Sequence, residues 1–503
     1  MNPEDRKRVV ILGGGTAGWI TANAFASRWP GTVDVTLIES PGIGTVGVGE
    51  GSTPRLKVFM DAIGVQESAW MLPCKATYKN GIQFVNWSTK PGFERYFHPF
   101  ASQVDRFTTT AFYFNTLARR RGVDVHAHPD RFSLAARLSE NRQGPIPDEC
   151  FPFVSDYGYH FDARRLGDFL RDIATCRGVE HRQARVTGVN FAESGAIASV
   201  SVDGGGVVDA DFFVDCSGFR GILIQGSLNV AFRPFSENLF NDSAVVLPTP
   251  QADSIGSQTV STALKYGWAW EIPLTHRIGN GYVYSSSFCS PDDAETELRE
   301  HLGLLDSSVD ARHLRMKVGR VERHWERNCL AVGLSQGFIE PLEATALTIV
   351  CNTVYRFMDA VDMDGGFHGH SRDAFNARVN AEFELIRDYI VAHYLLNSRN
   401  DTDYWLQNAG NTNLSDTLRE ILGTWASGQN LSGVLESGKL RSSYTPRSWH
   451  CILAGYGCYP ALKPDPRNDE LRNKIDMSEV DEFIRRCALN FRSQDALLQA
   501  LNS

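Results

Sequence analysis

The chain has 503 residues, of which 42% are hydrophobic and 22% charged, a composition typical of a folded globular protein rather than a disordered or fibrous one. Its net charge is −9 and its basic residues are spread thinly, which argues against nucleic acid as a partner. No apolar run approaches the ~20 residues that a bilayer span requires, and the first residues pass from charges into a glycine turn. We therefore expect neither a membrane segment nor a signal peptide.

The cysteine and histidine spacings favour neither disulfides nor a metal. The ten cysteines form no CxxC pair and no regular framework, which predicts reduced thiols and a cytoplasmic location. Two histidine pairs, His126 with His128 and His368 with His370, lie near no cysteine and on no HExxH helix. We therefore predict no metal site.

The N-terminal segment has the order strand, glycine turn, helix. An apolar run at residues 8–12 leads into the sequence GGGTAG, and residues 19–28 have a helical pattern. The turn supplies the candidate cofactor residues Gly13, Gly15, Ala17 and Gly18. Glycines there would let backbone amides and the helix N-terminus approach a pyrophosphate, whereas a plain tight turn is the alternative.

A second predicted strand, residues 33–38, ends at Glu39, which lies 21 residues beyond Gly18. An acidic side chain at that distance would meet a ribose, so these elements together predict a βαβ nucleotide-binding start. A glycine-rich segment follows at residues 43–51 and includes Gly49, a further candidate cofactor residue. Such a backbone suits a flat ring or a phosphate, and a flexible loop is the alternative.

The middle of the chain is predicted to be mixed α/β, and the C-terminal part helical. Strands are predicted at residues 197–202, 212–214 and 282–286, with glycine-rich turns between them. A Gly/Ser-rich stretch at residues 427–443 is the candidate for a flexible segment. From residue 371 onward, apolar residues recur at helical spacing. Members of this stripe are Phe375, Val379, Phe383, Ile386 and Ile390.

One strand-like motif carries a lysine. Residues 77–84 predict a strand in which Tyr78, Ile82 and Phe84 share one face, so that Lys79 points to the other side. Taken alone, such a lysine is typical of a protein surface. The opposite face of the strand need not be solvent, however, and the lysine therefore stays a candidate.

A tryptophan motif, GWAWEIP at residues 267–273, places the indoles of Trp268 and Trp270 on the same side of a strand. A pair of core tryptophans is one interpretation. The motif also matches the GWxWxIP signature of the flavin-dependent tryptophan halogenases. Together with the GxGxxG turn, it makes the chain resemble that family from its first strand to about residue 460.

Three further stretches agree with the resemblance, in the family's order. Residues 77–87 look like the strand that carries the family's catalytic lysine, which places that role on Lys79. Residues 338–347 look like the segment of the catalytic glutamate, which falls on Glu343. Residues 215–221, DCSGFRG, are similar to a flavin-domain turn.

The resemblance implies a fold, a cofactor and partners. The fold is an FAD-binding, Rossmann-like α/β fold of the flavin monooxygenase type, with a mixed sheet and a helical C-terminal part. Residues 1–370 would form the FAD-binding and monooxygenase-like region, interleaved with substrate-site strands, and residues 371–503 a helical region that completes the substrate site. A separate flavin reductase would supply FADH2, and a homodimer is one expected assembly.

The implied activity is halogenation of an electron-rich aromatic such as an indole. Oxygen and a halide, bromide or chloride, would give hypohalous acid, which the Lys79 ammonium hydrogen-bonds or carries as a haloamine. The Glu343 carboxylate would orient the lysine or accept the ring proton. Because Pro341 begins a predicted helix, the amides near Thr345 and Ala346 would hold the halide.

The remaining site residues also come from the resemblance. Trp268 and Trp270 would line the passage that keeps the substrate away from the flavin, and Leu334 would lie in flavin-binding backbone. His98 and Phe100 match the aromatic platform that sandwiches the substrate. Ordinary core packing is the alternative for these two rings.

The chain also departs from the family pattern. Ala344 follows Glu343 where family members commonly carry serine, so a serine contact to the lysine is missing. In tryptophan-specific members, an aromatic-rich stretch with paired tyrosines, a glutamate and a tryptophan clamps the amino acid, and residues 435–449 do not show that combination. We therefore expect a more open site, for indole or a larger aromatic compound.

Three other functions have some support in the sequence. Residues 333–337, GLSQG, satisfy the GxSxG pattern of serine hydrolases, but a hydrolase would explain neither the βαβ start nor Lys79. A flavin-dependent aromatic hydroxylase would share the fold and the nucleotide site, and Lys79 and the GWxWxIP motif argue against it. A nonenzymatic FAD-binding sensor is the third alternative.

Overall fold

A computed structural model describes residues 6–42, 49–463 and 469–501. Of the predicted glycine-rich segment at 43–51, residues 43–48 lie outside the described residues. The strands are β1 (Lys7–Leu12), β2 (Val33–Glu39), β3 (Gly49–Gly51), β4 (Thr77–Lys79), β5 (Gly81–Val85), β6 (Arg95–Pro99), β7 (Gln143–Pro147), β8 (Gly158–Asp162), β9 (Glu180–Gln183), β10 (Val186–Phe191), β11 (Ile197–Val202), β12 (Gly206–Asp209), β13 (Phe212–Asp215), β14 (Phe232–Pro234), β15 (Ser243–Thr249), β16 (Gln258–Leu264), β17 (Gly267–Pro273), β18 (Ile278–Tyr284), β19 (Arg312–Arg315), β20 (Gly319–Val321), β21 (Trp325–Glu326), β22 (Cys329–Ala331), β23 (Gly337–Phe338) and β24 (Phe491–Ser493).

The helices are α1 (Thr16–Arg28), α2 (Arg55–Ala62), α3 (Glu67–Met71), α4 (Asp105–Arg120), α5 (Leu134–Glu140), α6 (Ala163–Cys176), α7 (Pro291–Leu302), α8 (Ala346–Met363), α9 (Arg372–Leu395), α10 (Asp403–Ala409), α11 (Asp416–Ala426), α12 (Leu431–Glu436), α13 (Pro446–Gly455), α14 (Asp469–Arg472), α15 (Met477–Ala488) and α16 (Gln494–Ala500). The chain divides into two compact units, each made of three segments. The first unit comprises residues 1–76, 161–236 and 316–383, and the second comprises residues 77–160, 237–315 and 384–503. The domain boundary expected at residue 370 stays a prediction.

The first unit is built on a mostly parallel sheet in the strand order β21-β22-β13-β1-β2-β9. Strands β22, β13, β1, β2 and β9 pair in parallel, and β21 pairs antiparallel with β22. Helix α1 follows β1 across the glycine turn and packs beside α6 and α8. Its buried face includes Trp19, Ile20 and Phe25, and β1 is buried from Val9 to Leu12. The predicted strand, glycine turn and helix are therefore confirmed, as is the Rossmann-like α/β class.

The second unit contains a sheet in the order β19-β15-β18-β17-β16-β5-β6, in which only the β16–β5 pairing among the described strands is parallel. The single strand predicted at residues 77–84 is wrong. The chain breaks at Asn80, because its amide donates to Ser257 O (2.7 Å) and its side-chain Nδ2 donates to Gln143 O (2.9 Å). As a result, β4 pairs antiparallel with β8, whereas β5 joins the larger sheet.

The C-terminal part is helical, as predicted, apart from β24, which pairs with β7. All members of the apolar stripe on α9 are buried. The stretch predicted to be flexible at residues 427–443 contains helix α12, which Asn430 caps by accepting from the amide of Gly433 (3.1 Å). All ten cysteines remain thiols. Within the described ranges, no helix is long and apolar enough to cross a membrane.

The first residue of the tryptophan motif generates a testable prediction. A Cβ on Gly267 would lie 1.9 Å from the carbonyl oxygen of Val283 in the neighbouring strand β18. Gly267→Ala should therefore separate β17 from β18 and lower the free energy of unfolding by about 1–3 kcal/mol. Chemical denaturation followed by circular dichroism measures the change.

The matched control for this prediction is Gly423→Ala in α11, where no other described atom lies within 4 Å of the added Cβ. Because alanine favours a helix interior, this control should keep or raise stability. Equal stability of both variants would show that the close approach of β18 does not require glycine.

Candidate active site

The glycine turn after β1 contains two glycines that the fold itself requires. A Cβ on Gly13, whose φ is +120°, would lie 2.2 Å from the carbonyl oxygen of Cys216. A Cβ on Gly18 would lie 2.0 Å from the carbonyl oxygen of Gly13. Close backbone packing therefore explains both residues without a ligand.

Gly15 differs from these two glycines because no protein contact explains it. It has a φ of −75°, which any residue adopts, and it precedes the first turn of α1. No other described atom lies within 4 Å of the position that its Cβ would take. A side chain at residue 15 would instead occupy the space in front of the N-terminus of α1, where a cofactor phosphate binds in folds of this type. The residues present therefore fit the pyrophosphate of a dinucleotide.

Glu39 lies at the end of β2, next to the turn. Its Oε2 accepts from Nε2 of His181 (3.0 Å), and a Cβ on Gly14 would lie 2.2 Å from its Cδ. The carboxylate contributes to a cavity of about 390 Å³. Other lining residues of this cavity are Gly14, Trp19, Ser40, Pro41, Arg164, Gly167, Asp168, Arg171 and Gln183. A carboxylate in this place suits the hydroxyls of a ribose.

The other predicted cofactor residues also lie in the first unit. Ala17 packs at the turn that contains Leu334: a Cβ on Gly333 would lie 2.7 Å from the Ala17 Cβ. Gly49 is buried at the start of β3, and residues 43–48 before it lie outside the described residues. These positions are consistent with a backbone that surrounds one bound nucleotide. Contact with that nucleotide stays a prediction for each of these residues.

The GxSxG serine does not have the environment of a nucleophile. Ser335 is fully buried, and its Oγ lies within hydrogen-bond distance of the carbonyl oxygens of Val332 (3.0 Å) and Asp215, one of which accepts its single hydrogen. An exposed hydroxyl at a sharp turn is what a hydrolase of this pattern requires. Ser335 instead ties this turn to the end of β13.

The segment of Glu343 corrects a prediction about the halide site. The helix predicted to begin at Pro341 is wrong, because residues Pro341–Glu343 form a single 3-10 turn and Ala344 is left-handed, with a φ of +55°. Helix α8 begins at Ala346, immediately after Thr345.

The start of α8 nevertheless has features that suit an anion. The Oγ1 atom of Thr345 is buried and has no hydrogen-bond partner among the described residues. Thr345 stands at the N-terminus of an 18-residue helix, whose amides carry partial positive charge. Glu343, two residues earlier, is also buried. The start of α8 therefore suits an anion, and the binding of a halide by the amides of Thr345 and Ala346 stays a prediction.

Lys79 lies in the second unit and is 1% exposed, which is unusual for a lysine. Its Nζ lies 5.7 Å from the centre of the Phe100 ring. The amide of Phe100 donates to the carbonyl oxygen of Asn80 (3.0 Å), so the break after Lys79 also fixes Phe100. The structure therefore brings these two predicted site residues together.

His98 completes the aromatic platform. It lies in β6 opposite Ile82 of β5, and it is 8% exposed. Its Nε2 lies 3.5 Å from the hydroxyl of Tyr389, and the two ring centres are 5.7 Å apart. Phe100 follows the end of β6. Tyr389 could not be predicted as a site residue from the sequence, because it lies among many apolar residues of α9.

Trp268 and Trp270 are both buried in β17, with ring centres 6.0 Å apart. The indole of Trp270 lies over Gly281 of β18, where a Cβ would approach it to 2.2 Å. Its Nε1 has no hydrogen-bond partner among the described residues. The motif ends at Pro273, whose carbonyl oxygen accepts from the hydroxyl of Thr77 (2.7 Å), two residues before Lys79.

Comparison with known proteins identifies the family. The family model described as tryptophan halogenase matches residues 8–471. The chain is 35% identical to tryptophan 6-halogenase SttH of Streptomyces toxytricini, over 93% of this chain and 92% of SttH. It is 34% identical to tryptophan 7-halogenase RebH of Lentzea aerocolonigenes, over 92% of this chain and 91% of RebH.

A solved structure agrees with these sequence matches. The fold is similar to that of Xcc4156, a flavin-dependent halogenase from Xanthomonas campestris, with a TM-score of 0.85 and 30% identity over 99% of this chain and 98% of that one. The chain belongs to the tryptophan halogenase family. It is therefore a flavin-dependent halogenase, an enzyme of the oxidoreductase class, which fits these matches better than a hydroxylase does.

The open space at Gly15 leads to a test of cofactor placement. Gly15→Ala should fold normally, because its added methyl group meets no protein atom, and should weaken FAD binding at least about tenfold, equal to ~1.4 kcal/mol. Calorimetric titration with FAD measures this effect. Gly423→Ala serves as the control and should bind FAD with unchanged affinity. Unchanged FAD affinity of Gly15→Ala would place the pyrophosphate elsewhere.

Proposed function

We propose that this enzyme uses FADH2, oxygen and a halide, bromide or chloride, to form hypohalous acid, and that Lys79 delivers the halogen to an electron-rich aromatic such as an indole. The buried Lys79 ammonium beside Phe100 is the observation that carries the proposal. Gly13, Gly15, Gly18 and Glu39 would hold the FAD, which when reduced supplies the electrons for oxygen activation.

The chemistry assigned to Lys79 balances as an electrophilic substitution. The ammonium donates a hydrogen bond to the oxygen of HOX and so polarises the O–X bond. A ring carbon then forms the C–X bond and the O–X bond breaks. The leaving hydroxide takes a proton from the Lys79 ammonium and becomes water. The ring carbon loses its own proton, and we assign Glu343 as the carboxylate that accepts it.

The aromatic platform and its neighbours support a substrate without an amino-acid group. The Tyr444 ring stacks on Tyr389 at 3.6 Å, beside His98. The nearby cation, Arg447, donates to Thr109 Oγ1 (2.7 Å) and Phe132 O (2.8 Å) and pairs with Asp105. Arg447 therefore already has polar partners of its own, and Tyr389 and Tyr444 place aromatic rings beside His98.

Several parts of the proposal rest on the resemblance and on composition. A separate flavin reductase would supply FADH2, because the enzyme must receive it already reduced. The thiol state of all ten cysteines supports a reducing, cytoplasmic setting. The homodimer stays a prediction.

The clamp for the amino-acid group of tryptophan, which residues 435–449 lack, leads to a prediction about substrate preference. Indole should be halogenated with a higher kcat/KM than free tryptophan, because the ammonium and carboxylate of tryptophan need fixed polar partners to be held in one pose. Competition between the two compounds, analysed by mass spectrometry for halogen isotope patterns, measures the ratio. Tryptophan halogenated at one ring position with the higher kcat/KM would reverse the preference.

The role of Lys79 is tested by its removal. Lys79→Ala should lower halogenation of indole by about a hundredfold or more, because the donor that polarises HOX and the amine that could form a haloamine are both lost. FAD binding and FADH2 oxidation by oxygen should continue. The assay measures brominated indole in the presence of catalase and a scavenger that remove diffusing oxidant.

A matched control is Lys265→Ala, which removes an exposed lysine from the same unit and should leave halogenation unchanged. If Lys79→Ala gave the same yield of brominated indole as the control, the lysine would have no part in halogen delivery.

A further inference from the structure

A buried histidine shares one strand face with Lys79. In the antiparallel pair of β4 and β8, Thr77 lies opposite His160 and Lys79 opposite Gly158. Because residues i and i+2 of a strand point to the same side, the side chains of Thr77, Lys79 and His160 lie on one face. His160 is fully buried.

The hydrogen bonds around His160 determine its tautomer. Thr77 Oγ1 donates its single hydrogen to the carbonyl oxygen of Pro273 (2.7 Å), which can only accept. Its contact with His160 Nδ1 (3.1 Å) therefore requires that Nδ1 carry the hydrogen and donate it. His160 Nε2 then accepts from Thr259 Oγ1 (2.9 Å). A directed chain runs from Thr259 through His160 and Thr77 to the last residue of the tryptophan motif.

Electrostatics keep this histidine neutral. Burial, and in addition the charge of Lys79, hold the pKa of His160 well below its ordinary value. A neutral imidazole does not compete with the lysine for an anionic or polar oxidant. The neutral imidazole carries one N–H group, at Nδ1, and this N–H donates to Thr77 Oγ1.

The backbone on either side of Lys79 is held independently of His160. Gln494 Nε2 donates to the carbonyl oxygen of Tyr78 (2.8 Å), and the Asn80 amide donates to Ser257 O. These bonds keep β4 in place as a strand. The antiparallel ladder with β8 fixes which face of the strand carries Thr77 and Lys79. The hydrogen bonds of Thr77 to His160 and to Pro273 add a side-chain tie on that same face.

We propose that His160 is a positioning residue for Lys79: it donates from Nδ1 to Thr77, anchors Thr77 against the Pro273 carbonyl, and so sets the direction from which Lys79 presents its ammonium. This inference rests on the halogen-delivery role proposed above for Lys79. Both ring nitrogens of His160 are engaged, by Thr77 and by Thr259, so the role that we assign to it is exerted through the strand.

Two amide variants of His160 test the roles of its two ring nitrogens separately. Asparagine can place an N–H near the Nδ1 position, whereas glutamine places its amide near the Nε2 position. His160→Gln should lower kcat for indole halogenation by about tenfold to a hundredfold, because small misplacement of a reacting group has effects of that size. KM for indole, FAD affinity and FADH2 oxidation should stay unchanged, and more hypohalous acid should reach a scavenger in solution. His160→Asn should restore kcat close to that of the unchanged enzyme.

Thr77→Val provides a second, nearly isosteric test that disturbs folding less. It should reproduce the His160→Gln losses, and the double variant should lose no more than either single one, since both act through the same hydrogen bond. His324→Asn is the control for burial, because His324 is equally buried in the first unit and its Nε2 donates to Asn380 Oδ1 instead (3.0 Å). Its kcat should not change.

The outcomes distinguish this inference from the proposed function. If His160→Asn loses as much kcat as His160→Gln, or if the losses of the His160 and Thr77 variants multiply, the positioning role is overturned. Unchanged kcat in His160→Gln, in an enzyme that Lys79→Ala inactivates, overturns the inference alone. Full activity of Lys79→Ala overturns the proposed function and the inference with it.

Discussion

The buried charge of Lys79 is the constraint on which the local structure of the second unit depends. Removing an ammonium group from water costs several kcal/mol unless polar groups face it. The backbone on both sides of this buried lysine is fixed, by Gln494 at Tyr78 and by Ser257 at Asn80. A costly residue that is held firmly in place is typical of a functional site rather than of a scaffold.

The nucleotide turn shows what a glycine motif can and cannot predict. The order of strand, turn, helix and acidic residue was sufficient to predict the βαβ start and its cofactor class. The sequence could not distinguish the glycines from one another, because the contact that requires Gly13 comes from Cys216, about 200 residues later. Only the fold separates the glycines needed for backbone packing from Gly15, whose open side faces the helix N-terminus.

The wrong predictions share one physical cause, which is that tertiary contacts override local pattern. Apolar residues on both sides of Asn80 share one face, so periodicity alone predicted one strand, but the hydrogen bonds of Asn80 to Ser257 and Gln143 break it. Alanine ordinarily favours a helix, yet Ala344 is left-handed at a cost of about 1–2 kcal/mol. That single residue delays α8 until Ala346 and leaves Glu343 on a separate turn.

The tryptophan motif packs against β18 and also supports the strand of Lys79. This second contact links the motif to a lysine that lies some 190 residues earlier in the chain. Its glycine and its second indole are fitted to β18, through Val283 and Gly281. Its last residue is different: proline ends the strand and has no N–H, but its carbonyl oxygen remains to accept from Thr77. The motif is therefore part of the sheet at one end and part of the support for the Lys79 strand at the other. A change at Pro273 that moved this carbonyl would act on the lysine without touching either indole.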